Sequence, residues 1–153
     1  MRCFLALALT IIPTVALAWT PFVDHRFGYR LELPPGYSLS FETDQQNARF
    51  FHNADGHFIA LWASPEPGVS FEGEVAEKLW ADQAEGWTIS YERFTSQWAS
   101  YSGTKGSQIR YVRAVNLCGS GAAYFVIDYA SALKAEYDPV VTRMVRSLEA
   151  INC

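Results

Sequence analysis

Three histidines, His25, His52 and His57, are the side chains best suited to proton transfer or metal binding near neutral pH. His52 and His57 flank Asn53-Ala54-Asp55-Gly56, which sets Asp55 between them on a short turn. That spacing matches no zinc motif and brings no third ligand, so loop or cross-strand histidines are expected, with no metal and no cofactor. Gly103-Thr104-Lys105-Gly106-Ser107 has the composition of a phosphate cradle. It lies between two strand patterns and lacks the G-x-x-x-x-G-K-[ST] order, and so reads as a hairpin turn. Ser120 sits between Gly119 and Gly121, whereas a nucleophile elbow needs glycines two residues away on each side. The carboxylate pairs Glu72/Glu74 and Asp82/Glu85 read as the solvated face of a helix. Lys105, Arg110 and Arg113 gather around one hairpin, with Arg110 and Arg113 on opposite faces if the strand alternates. No catalytic set follows from these spacings.

Recognition chemistry is better represented. The chain has five tryptophans and eight tyrosines, the side chains that most often anchor partner surfaces. Tyr29, Tyr37, Trp87 and Tyr91 fall at core-facing phases, and Val75 and Leu79, with Ala76 and Trp80 beside them, supply a helix stripe. Trp62, Trp80 and Trp98 are the aromatics least explained by packing, and an apolar groove built from them is the candidate partner surface.

The elements that must position these residues begin after a leader. Residues 1–18 carry Arg2, an apolar run from Phe4 to Ile12, and Ala16-Leu17-Ala18 as a small-x-small cleavage site, the pattern of a secretory signal peptide. Cleavage takes the net charge from −4 to −5 and leaves Cys118 and Cys153. In an exported chain such a pair is expected to form a disulfide, worth up to ~4 kcal/mol through unfolded-state entropy. A periplasmic or secreted location follows, with no later segment long enough to cross a membrane. The absence of an N-x-[ST] sequon favours the periplasm. An acidic balance of 16 Asp+Glu against 12 Lys+Arg argues against nucleic acid as a partner. With 50% hydrophobic residues, residues 19–153 are expected to form one domain, a monomer or weak dimer.

Alternation predicts strands at Tyr29–Leu33, Tyr37–Glu42, Ala48–His52 and His57–Ala63, the last two joined by the Asp55-Gly56 hairpin. After the Pro65-Glu66-Pro67-Gly68 loop, Ser70 caps a helix from Phe71 to about Glu85. Strands follow at Trp87–Phe94, Gln97–Ser102, Ser107–Leu117 and Ala122–Tyr129. A final helix is expected to start with Asp138 as N-cap and Pro139 in its first turn. Runs of strands broken by two amphipathic helices predict an α+β fold: an antiparallel sheet covered by two or more helices, in an α/β/α sandwich.

The opening Phe27-Gly28-Tyr29-Arg30-Leu31-Glu32-Leu33-Pro34-Pro35-Gly36-Tyr37 resembles the start of the PsbP-like fold. The close, Tyr124-Phe125-Val126-Ile127-Asp128-Tyr129, then Tyr137-Asp138 and Met144-Val145-Arg146-Ser147-Leu148, is similar to that family's last strand and helix, with Leu148 where the family commonly has Phe. The fold is shared by the photosystem extrinsic protein, a Ran-binding import factor and many small exported bacterial proteins. The resemblance covers residues 27–150. It implies a binding or assembly-accessory module with a protein or envelope partner, and it carries over no catalytic residue. The alternative reading is a small secreted hydrolase or ligand-binding protein with a site assembled from dispersed residues.

Overall fold

The computed structural model describes residues 18–44, 47–64, 68–119, 121–151 and 153. The leader through residue 17, Pro65-Glu66-Pro67 and Ser120 lie outside the described residues. The element order is β1 (Thr20–Asp24), β2 (Tyr29–Leu33), β3 (Ser38–Glu42), β4 (Ala48–His52), β5 (Phe58–Ser64), α1 (Phe71–Ala84), β6 (Thr88–Phe94), β7 (Trp98–Lys105), β8 (Gln108–Asn116), β9 (Ala122–Ala130), α2 (Lys134–Ser147) and β10 (Glu149–Ala150). Seven strands form one antiparallel sheet in the order β3-β4-β5-β9-β8-β7-β6, and β1-β2-β10 form a second, smaller one. This is a mostly antiparallel α+β architecture with two long helices.

β9 is the spine of the large sheet. Its sequence, AAYFVIDYA, does not alternate, and eight of its nine residues are buried because both faces are covered. On one face Phe71, Val75 and Leu79 of α1 pack against Tyr101, Val112, Tyr124 and Val126. On the other, Tyr29, Leu31 and Leu33 of β2 and Tyr137, Val141 and Met144 of α2 pack against Ile59, Leu61, Phe125 and Ile127. Thus α1 lies over β6 and β7 with its apolar stripe reaching side chains of β8 and β9 on one face, while on the other β2 packs on the β5-β9 side and α2 meets β9 and β8. The two covers are diagonally offset, which leaves two sheet quadrants open.

The predicted hairpin between β4 and β5 is present, with Gly56 at φ +80°, a conformation that a side chain disfavours. The predicted Gly103–Gly106 turn is displaced. β7 continues to Lys105, whose partner is Gln108, so Gly106-Ser107 makes the turn. Gly103 is instead a strand residue at a close approach. A Cβ there would stand 2.6 Å from the Thr88 carbonyl oxygen of β6, beside the irregularity between Ile89 and Tyr91. Gly103→Ala is therefore expected to destabilise the protein by ~1–3 kcal/mol as the β6 backbone is pushed aside. Urea titration tests this, and a loss below about 0.5 kcal/mol would mean that β6 yields freely.

Two other expectations are corrected. Asp138 does not cap the last helix. A 3₁₀ turn, Ser131–Leu133, feeds α2, which starts at Lys134 and carries Pro139 inside it. Stacking of Tyr137 on Tyr129, ring centroids 4.5 Å apart, anchors the extra turn and offsets the missing Pro N–H. Asp138 accepts hydrogen bonds from Lys134 Nζ at 2.8 and 2.9 Å. Strand β1 was not expected, because Pro21 and its exposed residues mask the alternation. It pairs with β2 from Thr20↔Leu33 to Asp24↔Tyr29. β10 closes the small sheet on the other side of β2 and carries the chain toward Cys153, whose Cα lies 5.5 Å from that of Cys118, at disulfide distance. Among the described residues no helix is long and apolar enough to cross a membrane.

Candidate functional site

The open quadrant beside α1 is built from alternate residues of β3, β4 and β5. Register places Phe41 opposite Phe50, His52 opposite Phe58, and Ala48 opposite Trp62. Phe41 and Phe50 rings are 5.7 Å apart, His52 and Phe58 rings 6.0 Å. Trp62 stacks on Tyr124 at 4.6 Å. Phe41 is 59% exposed on the sheet's edge strand, and Phe50, Phe58 and Trp62 are half-buried. The result is a row of aromatic faces across three strands without a helix above it.

Where this row meets α1, the surface becomes charged. A depression of about 210 Å³ has Phe50, Phe58 and Trp62 on one wall and Lys78, Glu85 and Arg110 on the other. A neighbouring cleft of about 310 Å³ extends past Trp62 to Glu74, Glu77 and Tyr124. Under this rim lies a buried ionic cluster. Asp82, fully buried, accepts hydrogen bonds from Arg110 Nη1 at 2.7 Å and Tyr101 Oη at 2.5 Å, and pairs with Lys78 one helical turn back. Arg110 also grips Asp128 with two parallel bonds, at 2.9 and 2.8 Å, and lies over the Trp87 ring at 4.3 Å. Burial works against the Arg110 charge, but hydrogen bonds and attraction from Asp128 and Asp82 outweigh it and hold its pKa above the ordinary value. Burial, and donation to Asp82, push the Tyr101 phenol up. The expectation of a solvated Asp82/Glu85 pair thus holds only for Glu85, since 82 shares the inward stripe with 71, 75 and 79.

Trp62, Trp80 and Trp98 do not share a surface. The pairing Trp62↔Tyr124↔Ala114↔Ala99 puts Trp62 on the face of Ala99, and so on the face opposite Trp98. Trp80 is 64% exposed on the outer side of α1 and adds nothing to the buried stripe. Trp98 is half-buried beside Arg113 and Arg93. Tyr91, expected inside, is 44% exposed, because its face of β6 has no covering element. Arg110 and Arg113 do take opposite faces. The aromatics that sequence reasoning passed over here are Phe41, Phe50 and Phe58. Their alternation was visible, but which face stays uncovered depends on where α1 lands.

The histidines separate as well. His52 Nδ1 is 2.7 Å from Ser40 Oγ, and His57 Nδ1 is 2.8 Å from Tyr137 Oη, which lies 3.0 Å from Tyr37 Oη. Burial and the Tyr137 neighbour push the Tyr37 phenol up, away from the ionised form a base or nucleophile would need. Among the described residues no group of three His, Cys, Asp or Glu side chains is arranged to hold a metal ion.

No protein-family model matches the sequence, and no curated protein matches it. Solved structures do. Cyanobacterial PsbP (CyanoP) from Synechocystis sp. PCC 6803 superposes with a TM-score of 0.64 at 13% identity, over 93% of this chain and 98% of that one. The Ran-binding protein Mog1p of Saccharomyces cerevisiae gives 0.64 at 11% identity, over 89% and 97%. A mutant of protein Mog1 gives 0.64 at 11% identity, over 88% and 96%. The chain has the PsbP-like fold, shared with CyanoP and Mog1.

Proposed function

We propose that this is an exported, non-catalytic binding or assembly-accessory protein that engages a protein partner through the aromatic face of β3-β4-β5. The observation that carries this reading is the row Phe41, Phe50, Phe58 and Trp62, left open beside a charged rim. Aromatic anchors next to a polar rim are the usual make-up of an interface centre. The fold is in keeping with it, since Mog1p is a Ran-binding protein. In this reading the leader through Ala18 is cleaved, residues 19–153 form one domain, the helices cover the large sheet from both sides, and Cys118 and Cys153 are joined in an oxidising envelope compartment. Of the three tryptophans, Trp62 belongs to the partner surface.

A photo-crosslinking amino acid at Phe41, in the full chain expressed in its native host, is expected to give one discrete adduct with an envelope protein. The same group at Trp80 gives none. Trp62→Ala and Phe58→Ser remove the adduct while the circular-dichroism melt stays cooperative. An adduct of equal yield from both positions, or one that survives both substitutions, overturns the assignment of this face. N-terminal sequencing and thiol alkylation of the same sample test cleavage before Trp19 and the disulfide.

A further inference from the structure

The second open quadrant, on the α2 face over β6 and β7 and beside α2 where it meets β8, is independent of the surface just described. Strand register there aligns two rows: Arg93↔Ser100↔Arg113 and, next to it, Tyr91↔Ser102↔Tyr111. Arg113 Nη1 donates to Ser100 Oγ at 3.0 Å, and its guanidinium lies 4.1 Å over the Trp98 ring. Arg93 approaches the same ring, at 5.3 Å. Ser100 is 1% exposed, so this hydroxyl is a polar group placed under the surface.

What sets Arg113 apart is its lack of a counter-ion. Among the described residues two other arginines are of comparable burial, and each meets two or more carboxylates: Arg49 pairs with Asp24 and Glu42, and Arg110 with Asp82, Asp128 and, at 3.7 Å, Glu85. Among the described residues Arg113 pairs with none, and its Nε is buried without a hydrogen-bond partner. Burial lowers its pKa, with Tyr111 and Tyr91 pulling the other way. A desolvated cation without a counter-charge is costly, and in a chain with an excess of acidic residues its isolation is not due to a shortage of carboxylates.

Beside the Tyr row runs a cavity of about 520 Å³ between the sheet and α2, of small-ligand size. Tyr91, Tyr111, Tyr129, Ile109 and Val141 give it apolar walls, Arg146 and the Lys134–Asp138 ion pair stand at its α2 side, and the Arg113–Ser100 row lies next to it, just outside the lining. We propose that this quadrant binds a small organic carboxylic acid with a flat unsaturated body, the carboxylate on Arg113 beside Ser100 and the body between Tyr91, Tyr111 and α2. The planar fork of the Arg113 guanidinium suits a carboxylate.

The test uses 2-naphthoate and its uncharged isostere 2-naphthamide in isothermal titration with the mature protein. Naphthoate is expected to bind at least tenfold tighter than naphthamide. Arg113→Met brings naphthoate down to the naphthamide level, while Trp62→Ala on the other face leaves it unchanged. Without ligand, the Tm of the Arg113→Met variant is expected at or above that of the wild type, because an uncompensated charge has been removed. Equal affinities for the two probes, no heat from naphthoate up to about 10 mM, or retained naphthoate binding in the Arg113→Met variant each overturn the proposal. The comparison of the two probes on the wild type decides it even if the variant folds poorly.

Discussion

Asp82→Ala is expected to cost ~3–5 kcal/mol, enough to leave the domain largely unfolded at physiological temperature if its total stability lies at the low end of the usual range. The reason is what the substitution leaves behind. Asp82 is fully buried, and its two oxygens take Arg110, Tyr101 and Lys78. Its loss leaves a guanidinium and a phenol facing a cavity and forces Lys78 back toward solvent. Arg110→Met is expected to be of similar size, since it leaves Asp82 with Lys78 as its one cation beside the Tyr101 hydroxyl, and Asp128 without its two-pronged partner. The two sites share one network, so their effects are not additive, and the double variant is expected to lose well under the sum. Guanidinium unfolding of the two single variants and the double variant measures all three. A loss below about 1 kcal/mol for Asp82→Ala would show that water replaces the carboxylate at little cost. The contrast with Arg113→Met, expected neutral or stabilising, is a test within one molecule of whether an arginine here serves the fold or a ligand.

Much of the fold was legible because it follows from period-two alternation and turn chemistry. The strands from Tyr29 to Tyr129, the Asp55-Gly56 hairpin and the Ser70 cap, whose side chain accepts from the Gly73 N–H, could all be read locally. The misreadings share a cause: each depended on a distant element. Asp82 and Glu85 are equally acidic in sequence, and only the sheet under α1 makes one buried and the other exposed. Asp138-Pro139 is a good local helix start, overridden by Tyr137 docking on Tyr129. Trp62 and Trp98 both alternate correctly, but the face each presents follows from the register of three intervening strand pairings. The open quadrants result from the diagonal offset of α1 against β2 and α2, which no local pattern encodes. The uncovered aromatics and the unpaired Arg113 therefore became visible only in three dimensions.

Raising the pH should unfold this protein in one step between about pH 10 and 11.5. Tyr29, Tyr101, Tyr124 and Tyr129 are each no more than 3% exposed. Burial, foremost, pushes all four phenols up, with Asp24, Asp82, Glu74 and Asp138 adding at their respective rings, and Tyr129 reaches about 12. The folded state thus holds protons that the unfolded chain releases near its ordinary value of about 10. Above that pH the native state carries more protons than the unfolded one, so stability falls with rising pH. It is intact below about pH 10 and lost on the way to the folded-state values. Each such phenol costs about 1 kcal/mol or more per pH unit, and four cost roughly 4–6 kcal/mol by about pH 11, comparable to the whole stability of a small domain. Tyrosinate absorbance and far-ultraviolet circular dichroism should therefore change together. A tyrosinate signal that climbs gradually while the dichroism holds to about pH 12 would mean that these rings ionise inside the native fold. Tyr101→Phe is expected to shift the transition to higher pH, provided the loss of its bond to Asp82 is corrected for by the variant's stability measured at neutral pH.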